Sequence, residues 1–331
     1  MTQVSRDIAG CPSSWYLAGA AAQLKPGRVK TVTIGVHELV LFRDTTGQAH
    51  ALAAHCVHMG CHLKHGTVIE DRLRCPLHFR QYDGAGRCRA VPGGWADKAP
   101  AQQTYPLIER FGGLFVFVGR GPAFAFPAPH DRPAESYVSL VTEPFEFPLP
   151  WYALIANGCD LDHLQTVHLR RLKEPPEVGP LPPHRFRVRY RTKVIGSRLA
   201  DRAMRRLSGD DIRATITCFG GSLMLVESTI KYRRTFLLLS MRPRDAGTSI
   251  QCIVGLPCCR GRILDHISVR ITAWLFLSFL KRDVNILEQQ QLHRPSPIIT
   301  DGDRYVSQLF DYFEGLDRAT LNLMEREAVN Q

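Results

Sequence analysis

Strict alternation of polar and apolar side chains marks the segment from 185 to 194. The basic or polar positions are Arg185, Arg187, Arg189, Arg191 and Lys193, and they alternate with Phe186, Val188, Tyr190, Thr192 and Val194. A period of two residues predicts a β-strand with one basic face and one buried face. The basic face is either solvated or attractive to an acidic partner protein.

Short apolar runs between Gly-rich turns predict strands in both halves of the chain. In the first half, from Trp15 to about Val118, the clearest are Val29–Ile34, Leu39–Phe42, Ala49–Ala54 and Leu114–Val118. In the second half they are 185–194, 212–218, 223–230, 234–241 and 249–255. The first half is therefore expected to be all-β, and the second an antiparallel sheet with helices, an α+β arrangement.

Two segments of the second half predict helices. One spans about 155–169, and the other contains the apolar run Ile271–Leu280. That run is shorter than the ~20 residues that cross a bilayer, and charged residues such as Asp265 and Lys281 lie beside it. We expect a core helix there and no membrane span.

Proline marks the junctions. Residues 119–134 contain four prolines and predict a linker, which divides the chain into residues 1–120, a linker at 121–136 and residues 137–331. A second Pro-rich segment at 173–184 follows the first predicted helix. It predicts either a mobile surface loop or a lid over a site.

Composition narrows the class of protein. The chain has 331 residues, a formal net charge of +11 and ten cysteines. The N-terminal segment lacks the apolar stretch of a secretory signal. The cysteines outside the motif described next are scattered without a disulfide framework. We therefore expect reduced thiols in a cytoplasmic protein. Nucleic acid is not an expected partner, because no recognition motif accompanies the charge.

Two Cys/His pairs carry most of the chemical information. Cys56 and His58 form C-x-H, and sixteen residues later Cys75 and His78 form C-x-x-H. A Rieske [2Fe–2S] cluster takes this ligand set, with two thiolates on one iron and two imidazoles on the other. The alternative is one Cys2His2 zinc ion, but zinc motifs usually place the Cys pair before the His pair. The pattern favours the Rieske cluster.

A second motif, D-x-x-H-x4-H, places Asp160, His163 and His168 together. Two imidazoles plus a carboxylate form the facial triad of non-haem Fe(II) oxygenases. The two histidines are about 140° apart on a regular helix, so a kink or widened turn is expected if both bind one metal. Two ordinary histidines on a half-buried helix are the alternative.

The two motifs in this order resemble the oxygenase components of the Rieske non-haem iron oxygenases, over nearly the whole chain. The segments CVHMGCHLKHGTV, CPLH and GRCRAVP, with Asn157, are most similar to the 3-ketosteroid 9α-hydroxylase type. Phe79 and Arg80 depart from the pattern, since relatives often carry Gly or Asp and then Trp after CPLH. The resemblance implies an N-terminal all-β Rieske domain followed by a helix-grip (START-like) catalytic domain.

The resemblance also implies a third iron ligand. The family places a carboxylate in a late helix at the Asp of a D-V-x-I-x-E stretch, which corresponds to Asp283. Glu288, Asp265 and His293 are the rivals.

In function, the resemblance implies the terminal oxygenase of a multicomponent monooxygenase. Electrons would come from a ferredoxin or an NAD(P)H-dependent flavin reductase, because the chain has no dinucleotide fingerprint of its own, and O2 would be used at Fe(II) to hydroxylate a small hydrophobic substrate. Asp160 would bridge a cluster histidine, His58 or His78, to an iron histidine across a subunit boundary in a homotrimer. Demethylation, N-oxidation or oxidative cyclisation by the same residues, or a Rieske electron carrier without oxygen chemistry, stay open.

Overall fold

The computed structural model describes residues 8, 10–197, 202, 205, 206, 208–231, 233–259 and 261–319. Within them the chain forms four antiparallel sheets and four α-helices. Three sheets are built from residues before 120, and the largest sheet from residues after 136. The predicted order, all-β and then α+β, is confirmed.

The N-terminal half contains two three-stranded sheets, β1-β10-β9 and β2-β3-β4, and one four-stranded sheet, β5-β6-β7-β8. The strands are β1 Ser14–Ala20, β2 Val29–Ile34, β3 His37–Arg43, β4 Ala49–Ala53, β5 Thr67–Ile69, β6 Arg72–Arg74, β7 Gln81–Asp83, β8 Cys88–Ala90, β9 Leu107–Arg110 and β10 Gly113–Val118. The four strands predicted in this half are all present, within about two residues at their ends.

The C-terminal half is a nine-stranded antiparallel sheet with the order β11-β19-β18-β17-β16-β15-β13, in which β12 also pairs with β19 and β14 with β15. Its strands are β11 Tyr137–Val141, β12 Phe145–Phe147, β13 Arg170–Leu172, β14 Glu177–Leu181, β15 Arg185–Val194, β16 Ile212–Phe219, β17 Leu223–Ile230, β18 Arg233–Arg244 and β19 Gly247–Pro257. The helices are α1 Ala153–Cys159, α2 Leu161–Thr166, α3 Arg262–Leu287 and α4 Asp301–Glu314.

The alternation in β15 sorts its side chains as predicted. Phe186 and Val188 are fully buried in the core that the sheet forms with its helices. Arg187 and Arg189 point to the other face, where their strand neighbours are Thr217 and Thr215 on β16. One face of the sheet is thus apolar and covered by helices, and the other carries a row of arginines.

The two halves share part of their core. Trp15 and Phe117 from the first half pack in one apolar cluster with Phe219 and Phe236 from the second. The junction is also hydrogen bonded, because the Leu17 N–H donates to the Ser240 hydroxyl at 2.9 Å. The two halves therefore share one apolar core at their junction. The division into residues 1–120, 121–136 and 137–331 stays a prediction.

Three local features differ from the sequence-based expectation. The Pro-rich segment 173–184 is neither a free loop nor a lid, since Glu177–Leu181 forms β14 and pairs with β15. The predicted helix at 155–169 is broken at Asp160 into two short helices. The predicted core helix α3 buries only one of its faces.

Candidate cluster and iron sites

The two Cys/His pairs lie on two loops with the same hydrogen-bond pattern. In the first loop the Cys56 N–H donates to Cys61 O and the Gly60 N–H donates to Cys56 O. In the second the Cys75 N–H donates to Arg80 O and the Phe79 N–H donates to Cys75 O. Both loops therefore turn in the same way after their cysteine, as two clamps on one group would.

The four proposed cluster ligands are brought to this one place. The rings of His58 and His78 lie 4.9 Å apart between centroids, and Cys56 and Cys75 are both buried. The Tyr82 hydroxyl lies 3.3 Å from Cys56 Sγ. Burial, and then the charges of Arg80 and His78, lower the pKa of His58. A lowered pKa favours the neutral imidazole, which is the form that binds iron.

Cys61 is half-buried and carries a free thiol. In the second loop Leu77 lies between Cys75 and His78 and is exposed. No disulfide bond joins the two loops, so they are held in place by their hydrogen bonds and by the side chains packed under them.

A second set of donor atoms converges in the C-terminal half. His163 Nε2 lies 3.2 Å from His168 Nε2. Asp283 Oδ1 lies 3.2 Å from His163 Nε2 and 2.9 Å from His168 Nε2. All three side chains are at most 14% exposed. Two imidazoles and one carboxylate at such distances can bind a metal ion and leave further coordination positions open.

The end of α2 at Thr166, between the two histidines, allows their rings to come together. His163 lies on α2, which ends at Thr166, and His168 follows in the turn before β13. Leu169 then has a positive φ of 51°. The chain leaves the helix between the two histidines, so their side chains are not held at the angle that one regular helix would impose.

Asp283 comes from α3, far along the chain. Burial raises the pKa of its carboxyl, but hydrogen bonds with His163 and His168 outweigh burial, and the net pKa is lowered. The rivals do not reach this group: Glu288 and His293 are exposed, and a carboxylate oxygen of the buried Asp265 accepts the Cys259 N–H at 3.2 Å. The geometry therefore favours Asp283.

Asp160 caps the helix that carries His163. Its Oδ1 accepts the N–H groups of Asp162 at 2.9 Å and His163 at 3.1 Å. An N-cap of this kind stabilises the start of α2. The same side chain also borders the cavity described next, so capping occupies one carboxylate oxygen at the edge of the iron site.

A cavity of about 240 Å³ opens beside the three donor atoms. Its walls are mostly apolar and come from α1, α2, α3 and the buried face of the sheet. Apart from Asp160 and the three donor residues, the polar groups in the wall are few: they are Asn157, Arg170, Tyr190, Thr192 and Ser228. The sequence analysis placed Tyr190 and Thr192 on a buried strand face but did not assign them to a site. The alternation of polar and apolar residues along β15 is the only sequence signal that could have placed these two residues in the cavity.

The sequence analysis also missed a third cluster of donor groups, made of Glu38, His55 and His62. His62 Nε2 lies 3.0 Å from Glu38 Oε1, while its Nδ1 accepts the Lys64 N–H. A neutral ring that accepts at Nδ1 carries its proton on Nε2. This Nε2 therefore donates to Glu38 and is not free to bind a metal.

Sequence comparisons identify the N-terminal domain and a set of distant relatives. Residues 14–106 match the model of the Rieske [2Fe–2S] domain. The chain is 26% identical, over 72% of its length, to the oxygenase component of a 3-ketosteroid-9-alpha-monooxygenase from Rhodococcus rhodochrous. It is 30% identical, over 49% of its length, to a 4beta-methylsterol monooxygenase from Methylococcus capsulatus. The alignments span 60% and 45% of these relatives.

Solved structures show the same fold along nearly the whole chain. NdmA of Pseudomonas putida with caffeine superposes with a TM-score of 0.67 at 18% identity, covering 94% of this chain and 91% of NdmA. Dicamba monooxygenase superposes with a TM-score of 0.65 at 19% identity, covering 97% and 99%. Residues 14–106 are therefore a Rieske [2Fe–2S] domain, and the chain as a whole has the fold of these oxygenase structures.

Proposed function

We propose that this chain is the terminal oxygenase of a multicomponent Rieske monooxygenase that hydroxylates a small hydrophobic substrate. One observation carries the proposal. His163 Nε2, His168 Nε2 and Asp283 Oδ1 lie within 3.2 Å of one another at the edge of an apolar cavity. An electron carrier without oxygen chemistry would need neither the donor set nor the cavity.

In this proposal each group of residues has a separate task. Cys56, His58, Cys75 and His78 hold the [2Fe–2S] cluster. His163, His168 and Asp283 would hold Fe(II). When bound there, the iron supplies O2 activation. The buried walls exclude bulk water from the reacting centre.

The cavity supports an apolar substrate. Leu237 and Leu239 on the sheet, with Phe276 and Phe279 on α3, form facing walls. Tyr190, Thr192 and Ser228 offer a few polar groups that could orient a substrate oxygen or nitrogen. The curated relatives include proteins named for sterols and for aminopyrrolnitrin. We therefore propose a polycyclic, steroid-like or aromatic substrate.

Electrons must come from another protein in this proposal. Arg185, Arg187 and Arg189 line one groove on the outer face of the sheet, together with Arg234. This row of basic side chains would attract an acidic carrier such as a ferredoxin or a flavin reductase. The cysteines are all free thiols, which fits the reducing environment of the cytoplasm.

We further propose a head-to-tail homotrimer. The residues that line the cavity all lie between 154 and 283, so the Rieske loops of the same chain contribute none of them. A neighbouring chain could bring its cluster histidine, His58 or His78, to the iron site. Asp160, at the edge of that site, would then bridge it to an iron histidine and orient both rings, as second-shell carboxylates do.

The reaction type has an alternative within the same machinery. Demethylation, N-oxidation or oxidative cyclisation would use the same cluster, iron and cavity residues. Product analysis separates them. One labelled oxygen atom on a carbon indicates hydroxylation, and one on a nitrogen indicates N-oxidation. Release of formaldehyde indicates demethylation, and a product that lacks two hydrogens and carries no label indicates oxidative cyclisation.

The direct test is turnover of the purified protein, loaded with iron and cluster, with a reductase and ferredoxin. A panel of steroids and aromatic compounds is incubated under ¹⁸O2 and read by mass spectrometry. We expect a labelled product from the wild type and none from His163→Ala, with His293→Ala as the matched control that retains activity. Equal product from His163→Ala would overturn the proposal.

A further inference from the structure

Helix α3 exposes an apolar face that no described part of the chain covers. Ile263 is 77% exposed, Ile271 56% and Trp274 67%. At about 100° per residue, these positions and Leu264, Ile267 and Leu275 fall on one side of the helix. The opposite side is also apolar, and Val269, Ala273 and Leu280 on it pack against the sheet.

An α-helix that is apolar all round normally lies inside a large core or a membrane. By length and composition alone, Ile263–Leu287 could cross a bilayer. A core helix would be mostly buried, whereas only 22% of the most apolar stretch of this helix is buried in the protein. Its buried side carries Asp283 and belongs to the fold. The helix is therefore fixed to the protein by one face and presents the other.

The charges beside this face indicate what covers it. Arg270, Lys281 and Arg282 are exposed on the same helix. Between Ile263 and Arg282 the exposed side chains include no Asp or Glu, since Asp265 is buried. Apolar residues and a tryptophan flanked by basic side chains are the composition of helices that lie in the interface of an anionic bilayer.

We propose that this exposed face of α3, from Ile263 to Leu275, rests on the surface of an anionic lipid bilayer, with the helix lying in the plane of the membrane. The stripe is about 18 Å long. It could bury its side chains about 5–10 Å into the headgroup and acyl boundary. The basic side chains would lie at the level of the lipid phosphates.

A second copy of the chain fits this face less well. In a twofold contact through α3, Arg270 of each copy would lie close to the basic side chains on α3 of the other copy. The other apolar surface, Met59, Leu77 and Phe79 beside the cluster histidines, is exposed as well. Arg74 lies over the ring of Phe79 and Arg80 follows it in the chain, so docking this surface against α3 would bring positive charge against positive charge.

The lipid contact would also serve the proposed reaction. Phe276, Phe279 and Leu280 line the cavity from the same helix. An apolar substrate dissolved in the bilayer would then meet the protein next to its site. This part rests on the proposed function, whereas binding of the protein to lipid does not.

Co-sedimentation with vesicles tests the contact on the full-length protein. We expect the wild type to bind vesicles of phosphatidylcholine mixed with phosphatidylglycerol, and to bind pure phosphatidylcholine more weakly. Ile267→Gln/Ile271→Gln should lower partitioning by about tenfold or more, because two buried anchors are lost. Arg270→Gln should lower it several-fold and weaken its salt dependence. The matched control, Val36→Gln/Trp95→Gln, removes equally exposed apolar side chains in the Rieske domain and should change nothing.

A second readout places the helix directly. Lipids brominated in their acyl chains should quench tryptophan fluorescence in the wild type, and Trp274→Phe should remove that quenching. Each variant is first checked for wild-type circular dichroism. Equal vesicle binding by the wild type and the Ile267→Gln/Ile271→Gln variant would overturn the proposal. It would also be overturned if the wild type did not bind vesicles and the variant differed from it in oligomer mass, because the apolar face would then be a contact between copies of the chain. Since His163→Ala should bind vesicles normally, failure of the oxygenase proposal and failure of the lipid contact are distinguishable.

Discussion

The Nε2 atoms of His163 and His168 lie 3.2 Å apart, although five residues along a regular helix would turn their side chains about 140° from each other. The end of α2 at Thr166 removes that constraint. Asp283 then closes the group from α3. The proposed iron site is thus formed by the end of one helix and by a second helix more than a hundred residues later in the chain.

The choice of Asp283 as the third ligand can be tested by substitution. Asp283→Asn keeps the shape but removes the charge, so we expect iron affinity to fall by at least about tenfold while the cluster absorbance is unchanged. Glu288→Gln, at the exposed C-cap of the same helix, is the matched control and should retain iron. Iron retained in Asp283→Asn and lost in Glu288→Gln would reverse the assignment.

Acid should weaken the metal-free iron site through the same carboxyl. The folded pKa of Asp283 is lowered, so its stabilisation is complete above the unfolded value of about 3.9 and is lost as the pH falls through the lower folded value. In urea unfolding of the metal-free protein, we expect the stability difference between wild type and Asp283→Asn to shrink as the pH is lowered below about 4. A difference that stays constant with pH would show that the carboxylate is not stabilised by its neighbours.

Asp160 has a structural role and a proposed electron-transfer role, and two substitutions separate them. Asp160→Asn keeps an oxygen for the Asp162 and His163 N–H groups, whereas Asp160→Ala loses the cap and should cost about 0.5–2 kcal/mol. We expect near-normal stability, iron content and cluster reduction in Asp160→Asn, but cluster reoxidation by O2 with substrate should slow by orders of magnitude. A wild-type rate in a stopped-flow trace would leave Asp160 with the capping role alone.

Gly60 and Phe79 hold the same position in the two cluster loops, with φ of 70° and 55°. Gly60→Ala should lower the free energy of unfolding by about 1–2 kcal/mol, because the left-handed conformation disfavours a Cβ. Gly179→Ala, where the Cβ would also meet open space but φ is not left-handed, is the control and should cost nothing. Phe79→Gly should keep the cluster, since the loss of the Arg74 contact, 5.0 Å from the ring centroid, is offset by relief of strain. Loss of the cluster in Phe79→Gly would give the ring a structural role.

The strands and the cluster motif could be predicted from the sequence because each depends on local pattern. The alternation of Arg187 and Val188 sets the two faces of β15 without reference to any other strand. The convergence of Asp283 with His163 could not be derived from spacing and came from family resemblance, because it depends on how α3 packs on the sheet. β14 was missed because the prolines of the segment 173–184 indicate a loop, although β15 offers β14 a pairing edge. The uncovered side of α3 was missed because both sides are apolar, and sequence alone does not say which side meets the sheet.

Metal analysis tests the central claim most directly. We expect three irons per chain in the wild type, two in the cluster and one at the mononuclear site, with a Rieske-type rhombic EPR signal on reduction. His163→Ala and His168→Ala should each contain two irons per chain and keep that signal. Two irons per chain in the wild type, unchanged in both variants and after incubation with Fe(II), would contradict the iron site, and stoichiometric zinc in a colourless protein would contradict the cluster.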